Sequence, residues 1–275
     1  MQRIPWPKHG YTAETQDPAM RAICEAKYHI ALIASEEPAA YSFARAAGIP
    51  LRVGFHNGLQ KPLKSWWARR QCTRALYRPA VLSEFPRHEV QTQFALGDDL
   101  HAENGPSLDV RRLRDLIVDH DKPDEKRPLL QLTKKWLGPE RSLREVANWL
   151  QDVRHFAPWR IVAAENERFS VEPIARQAAL SVEYFADVRT WKEAIAAASV
   201  LLTPDTGAAH VAGMIGTPVV DIFERQHFER NARRWAPWAA PSRLLKFPDA
   251  AAKESFAQTL AWSVAALSAQ CFGSP

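Results

Sequence analysis

The sequence predicts an α/β chain made of two Rossmann-like domains, and three observations lead there. The first is Ser199–Glu224, SVLLTPDTGAAHVAGMIGTPVVDIFE. In it a strand-length apolar run, a turn, a helix of small residues, a Gly216-Thr217-Pro218 turn and a second apolar run succeed one another, as parallel α/β units require. The second is that the same alternation of short apolar runs and helical stretches recurs along the chain. The third is length: at 275 residues the chain exceeds the usual single domain. The boundary is placed at 120/121, giving domains 1–120 and 121–275.

In chain order, the first twenty residues hold three prolines and read as irregular. A helical piece from Ala22 leads to a buried-strand candidate, His29–Ala34. Glu36 and Glu37 precede a helix from Pro38 to about Ala47, stopped by Gly48 and Pro50. Leu51–Phe55 is a second strand, so the N-terminal region shows two clear strands before a basic segment. Arg87–Gly97 makes an amphipathic helix ending near Leu96, with the glycine as its stop. The charged stretch 98–128 reads as the linker between domains. The C-terminal domain opens with a strand at 128–132 and a turn, Thr133–Trp136. A helix follows from Pro139-Glu140 to about Val153, then a strand at 161–164 ending in Glu165-Asn166-Glu167. Helices near 171–178 and 191–198 flank a short strand at Ser181–Val182. After the Ser199–Glu224 unit come an Arg- and Trp-rich stretch, 225–241, a strand at 244–247 and a final amphipathic helix at 250–269.

Composition excludes some classes. With 24% charged residues and ordinary apolar content, the chain is globular. No apolar run reaches the roughly 18–20 residues of a membrane span, and MQRIPWPKHG lacks the apolar core of a secretory signal. Cys24, Cys72 and Cys271 are too widely spaced for a disulfide framework or a metal pattern, which fits a reducing cytoplasm. His120 between Asp119 and Asp121 sits in a charge run and reads as solvated linker, so no metal is expected. A net charge of +5 favours anionic partners.

The turn at Thr203–Gly207 carries the most chemical information. Asp205 or Thr206 can cap the following helix by accepting from its unpaired first-turn amides. Gly207, Ala208 and Ala209 have almost no side chain, so a ligand can approach those amides closely. The helix dipole adds positive potential suited to phosphate, and His210 falls in the first turn where its ring can add a donor. Ligands of such sheets bind beyond the strand carboxyl ends. Lys134, Glu165 or Glu167, and Asp205 all sit at such ends.

From Arg52 to Arg78 the chain is basic and aromatic, with Trp66, Trp67, Arg69 and Arg70 at its centre. This suits an anionic acceptor or a layer of lipid headgroups at the inner face of a membrane. Cations interleaved with aromatics also suit nucleic acid, but no nucleic-acid-binding pattern accompanies them, so nucleic acid is not the expected partner.

PDTGAAHVAGMIGTPVVDIF resembles the signature of glycosyltransferase family 9, best known for the lipopolysaccharide heptosyltransferases: Asp-(Ser/Thr)-Gly, two residues, His, small residues, then Gly-x-Pro before a strand. KKWLGPERSLREVANWL is similar to the family's Lys/Trp-Pro-Glu segment, and GIPLRVGF to its Arg-(Ile/Val)-Gly-(Phe/Tyr) strand. The likeness spans roughly residues 25 to 265. It implies a glycosyltransferase fold of the B type, with a nucleotide diphosphate sugar bound in the C-terminal domain and a glycan or lipid-linked acceptor on the N-terminal side. It assigns the diphosphate to Asp205, Thr206, Gly207, Ala208, Ala209 and His210, with Lys134 and its neighbour Lys135 supplying charge. Glu165 or Glu167 would meet the ribose. The reaction implied is an inverting sugar transfer without a cofactor or metal. Family members begin with a strand and a Gly-Asp turn whose Asp serves as base. No such turn precedes residue 25, as if about 60–80 residues of the usual domain were absent. The resemblance thus leaves the N-terminal domain incomplete, the catalytic residue open, with Glu36 and Glu37 the local candidates, and a non-catalytic nucleotide-sugar-binding protein as the alternative. Side-chain capping before Pro38 is the other role expected of the two glutamates.

Overall fold

The computed structural model describes residues 18–80, 86–98, 100–101, 105–118, 127–138, 140–249 and 252–272. Residues 1–17 of the twenty expected to be irregular, and the His120 charge run, lie outside them; residues 18–20 are helical, because the helix expected from Ala22 begins at Pro18. The chain divides into two compact units, Met1–Pro106 and Ser107–Pro275.

The first unit runs α1 (Pro18–Ala26), β1 (Ile30–Leu32), α2 (Pro38–Ala46), β2 (Leu51–His56), α3 (Pro62–Gln71), β3 (Arg74–Tyr77) and α4 (Glu89–Phe94). Its three strands are parallel in the order β1-β2-β3. The central strand buries Val53, Gly54, Phe55 and His56. Gly54 is there for want of room: a Cβ would come within 2.7 Å of the Tyr41 ring and 2.9 Å of Cys72 Sγ. The Tyr41 hydroxyl in turn accepts from the Phe55 amide at 3.1 Å and donates to its carbonyl at 3.2 Å, pinning α2 to β2. β3 adds a third strand inside the basic segment, where none was expected; Tyr77 is exposed and its other residues are half-buried, so no apolar alternation announces it.

The second unit runs α5 (Val110–Asp115), β4 (Leu129–Gln131), α6 (Leu143–Arg154), β5 (Arg160–Ala164), α7 (Arg168–Gln177), β6 (Glu183–Phe185), α8 (Val188–Ala197), β7 (Leu201–Pro204), α9 (Gly207–Ile215), β8 (Val219–Phe223), α10 (Phe228–Trp235), β9 (Ser242–Lys246) and α11 (Phe256–Phe272). The domain division falls at 106/107 rather than 120/121 because α5, expected as linker, belongs to this unit. Arg114 donates to the carbonyls of Ile215 at 3.2 Å and Ala196 at 3.3 Å. α6 begins at Leu143, not at Pro139-Glu140: the Ser142 hydroxyl accepts from the Glu145 amide at 3.2 Å while the Glu145 carboxylate accepts from the Ser142 amide at 2.8 Å. That reciprocal box satisfies two first-turn donors at once. β6 lies at 183–185 rather than 181–182, β9 at 242–246 rather than 244–247, and α10 occupies part of the stretch for which no element was expected.

Six strands form one parallel sheet in the order β6-β5-β4-β7-β8-β9. Leu130, Leu202, Val220 and Ile222 pack on one face with Leu150 and Leu260. Leu129, Leu201 and Val219 pack on the other with Ile195, Ala209 and Ile215. Each fully buried aliphatic contributes about 1.5–3 kcal/mol, and burial on both faces is why these strands read as unbroken apolar runs. The strand order reverses direction between β4 and β7. A crevice opens at the carboxyl ends of two such neighbours, because their connections leave toward opposite faces.

Candidate anion-binding site at the sheet switch point

Two strand ends meet at that crevice. β4 runs into a tight turn, Lys134–Trp136, started by the Thr133 hydroxyl accepting from the Lys135 amide at 3.0 Å. β7 runs into Asp205 and Thr206, and α9 begins at Gly207. Thr206, not Asp205, is the cap: its hydroxyl accepts from the Ala208 amide at 3.3 Å, and its carbonyl from the Ala209 amide at 3.1 Å. Ala208 and Ala209 are buried, so of the three small residues Gly207 stands at the exposed mouth, where a Cβ would meet nothing within 4 Å. His210 is half-buried with its ring 5.6 Å from that of Trp235 on α10.

The two lysines differ. Lys135 Nζ bonds the Asp205 carbonyl and lies 3.8 Å from its carboxylate. Lys134 is exposed and has no ion pair among the described residues. Sequence reading paired Lys134 with the turn; the structure brings Lys135 to Asp205 and leaves Lys134 facing solvent.

Two residues that hold this arrangement were missed. Arg141 donates from Nε to the Trp136 carbonyl at 2.9 Å and from Nη2 to the Lys135 carbonyl at 3.0 Å. It also forks onto Glu224 at 2.8 and 2.7 Å and lies 3.6 Å over the Phe247 ring. One side chain therefore ties the lysine-bearing turn to the end of β8. The second is Asp221. Gln131, Thr203 and Asp221 form a polar row across β4, β7 and β8, facing α9: the Thr203 hydroxyl donates to Gln131 Oε1 at 3.0 Å, and Thr203 is in register with Asp221. Asp221 is fully buried, and among the described residues neither carboxylate oxygen accepts a well-formed hydrogen bond, the Ile222 amide being the backbone donor that acts on it. Burial, and then the negative charge of Asp205, push its carboxyl well above the usual range, against the pull of Lys135. Only the strand pattern signalled Asp221, as one polar residue in an apolar run.

At the ends of β4, β5 and β6 a cavity of about 500 Å³ adjoins the crevice, lined by Gln131, Glu165, Asn166, Phe185, Asp187 and Trp191 among others. Glu165 borders it and holds Arg168 through two 2.7 Å bonds, which keep its carboxyl below the usual range. Glu167 does not line it; it stands at the start of α7 and makes no side-chain cap.

In the first unit the glutamates do not cap. Glu37 occupies the cap position of α2 without a side-chain bond. Glu36 pairs with the buried Arg78 at 2.8 Å, and Arg78 pairs with the buried Glu89 at 2.7 Å. Trp67 packs 5.9 Å from Tyr41 in the core, whereas Trp66 is 57% exposed with Arg70 stacked 4.1 Å over it. Among the described residues no group of three or more His, Cys, Asp or Glu is placed to hold a metal ion, and no helix is long and apolar enough to cross a membrane.

No family model and no curated protein sequence matches the chain. Solved structures do. A glycosyl transferase family 9 structure from Veillonella parvula matches with a TM-score of 0.60 at 13% identity, covering 92% of this chain and 78% of the other. The E. coli ADP-heptose lipopolysaccharide heptosyltransferase II matches with a TM-score of 0.58 at 14% identity, covering 93% and 81%. E. coli heptosyltransferase WaaC, solved with ADP, matches with a TM-score of 0.56 at 13% identity, covering 88% and 77%. At these identities the likeness establishes the fold, the α/β fold of the glycosyltransferase B type.

Proposed function

We propose that the chain is a glycosyltransferase that moves a sugar from a nucleotide diphosphate sugar to a hydroxyl of a glycan or lipid-linked acceptor. One observation carries this reading: the amide end of α9, Lys135 and a nucleoside-sized cavity converge on the switch point of a six-stranded parallel sheet, with Lys134 exposed on the same turn as Lys135. The diphosphate would lie against Gly207 and the α9 amides, with Lys134 and His210 as further donors. The nucleoside would enter the cavity beside Glu165, with Phe185 and Trp191 as apolar walls. In an inverting transfer the acceptor oxygen attacks the anomeric carbon, the bond to the diphosphate breaks with its electron pair, and the acceptor proton passes to a base. Positive charge aimed at the leaving diphosphate stabilises that transition state. Glu36 is committed to Arg78, so the base is not assigned to it. That engagement favours, as a second reading, binding of a nucleotide sugar without transfer.

The solvent face of the basic segment supports contact with an anionic membrane or lipid-linked acceptor. Leu59 and Leu63 are 95% and 83% exposed beside Trp66, Lys61 and Arg70, an apolar stripe edged with cations.

Calorimetric titration of native and His210→Ala protein with ADP, UDP and GDP tests the site. Loss of a charge-assisted contact predicts binding weaker by about 1.5–3 kcal/mol in the variant. No binding by native protein, or an unchanged His210→Ala, sinks the reading. Turnover of a bound donor by acceptor separates transfer from binding alone.

A further inference from the structure

The carboxyl edge of the first unit's sheet carries a second cluster that the reading above does not use. His56 ends β2 and is 8% exposed. Its Nδ1 accepts from the Gly58 amide at 3.0 Å. A backbone N–H can only donate, so Nδ1 carries no proton and Nε2 of the neutral ring must carry it. Nε2 faces Arg69 Nη2 at 3.3 Å, and guanidinium is also donor-only. Two N–H groups therefore converge with no acceptor between them among the described residues. Burial, followed by the Arg69 charge, lowers the His56 pKa, which agrees with a neutral ring. Among the described residues Arg69 has no carboxylate partner. Beside the pair stands Tyr77, 58% exposed, its ring 5.8 Å from that of His56. Gly58, at φ 60°, lets the turn pass that ring, since a Cβ there would lie 3.0 Å from Tyr77 Cε2.

We infer that His56 Nε2–H and the Arg69 guanidinium form an oxyanion subsite for a phosphorylated sugar, with Tyr77 as the face on which the sugar ring stacks. One phosphate oxygen resolves the donor–donor contact by accepting from both groups, and Arg matches phosphate with paired donors. The exposed aromatic face supplies a flat apolar surface whose hydroxyl end stays wet. The inference rests on the glycosyltransferase reading only in calling this ligand the acceptor; the subsite itself stands on the geometry of the first unit.

The full chain is titrated with glucose 6-phosphate, inorganic phosphate, glucose, and phosphatidylcholine vesicles carrying phosphatidic acid. Binding is followed by calorimetry and by the His56 imidazole carbon–proton resonance, assigned through its loss in His56→Gln. Glucose 6-phosphate is expected to shift that resonance saturably and to bind more tightly than inorganic phosphate, with glucose inert. Arg69→Met, at an exposed position, is expected to weaken binding roughly 10- to 100-fold, and Tyr77→Ala to erase the advantage of glucose 6-phosphate over phosphate. ADP binding should be the same in native and Arg69→Met protein. If ADP fails to bind while the Arg69-dependent shift persists, the donor reading falls and the subsite stands. A motionless His56 resonance, an Arg69→Met protein that binds as native does, or a response to vesicles but not to glucose 6-phosphate overturns the proposal.

Discussion

Replacing Asp221 by Asn should stabilise the second unit, by an amount that grows with pH. The side chain is fully buried in β8, its two oxygens accept no well-formed hydrogen bond among the described residues, and Asp205 lies close enough to oppose its ionisation. Its folded pKa is therefore raised above the unfolded value of about 3.9. Below that value both states hold the proton and Asn, of the same shape, should gain little. Above it the unfolded chain releases a proton that the folded chain keeps, so native stability falls by about 1.4 kcal/mol per pH unit for as long as Asp221 stays protonated in the fold. Asn has no proton to lose and escapes that decline. Stability differences of this size move the melting temperature of a unit this large by roughly 2–4 °C per kcal/mol. Thermal unfolding of native and Asp221→Asn protein at pH 4, 5, 6 and 7 reads the effect directly. Melting curves that differ equally at every pH, or most at pH 4, would refute the reasoning.

Substitutions at two further positions probe the supports of the anion site and of the first unit. Arg141→Ala removes the fork to Glu224 and both carbonyl contacts of the lysine turn, so nucleoside diphosphate affinity should drop by about tenfold and stability by roughly 1.5–3 kcal/mol. Arg141→Lys should not restore either, because a point charge cannot fork; denaturant melts and calorimetry measure both. Arg78→Met removes the 2.7 Å ion pair of the buried Glu89, which keeps its 2.7 Å bond from Gln93; a loss of roughly 1.5–3 kcal/mol is expected in chemical denaturation, and Arg78→Met with Glu89→Leu should recover much of it.

How legible these features were depends on where their meaning resides. β4, β7 and β8 are short runs buried on both faces, so their chemistry is local and the sequence displays it. β3 is partly wet along its length and offers no apolar period, while α10, FERNARRW, has one in Phe228, Ala232 and Trp235 at i, i+4 and i+7 but buries only Ala232, so its two short turns sit inconspicuously in a basic stretch. The turn residues Asp205–His210 were readable because capping and close approach act within a few positions. Arg141 was not, since its partner Glu224 lies 83 positions away, and the charged stretch around α5 read as linker until Arg114 met Ile215 and Ala196 across the fold.

Asp221 belongs to the same class: only the register of β8 against β7 places it beside Thr203 and within reach of Asp205. That placement bears on the anion site as much as on stability. Lys135 is partly spent on Asp205, so the turn's net attraction for an anion comes from the α9 amides and Lys134 set against whatever negative charge lies beneath them. An ionised Asp221 would put a second carboxylate under that turn, whereas the neutral acid adds none. Deprotonation therefore acts against the fold and against a bound diphosphate together, and the pH dependence of melting and of diphosphate affinity are two readings of the same proton.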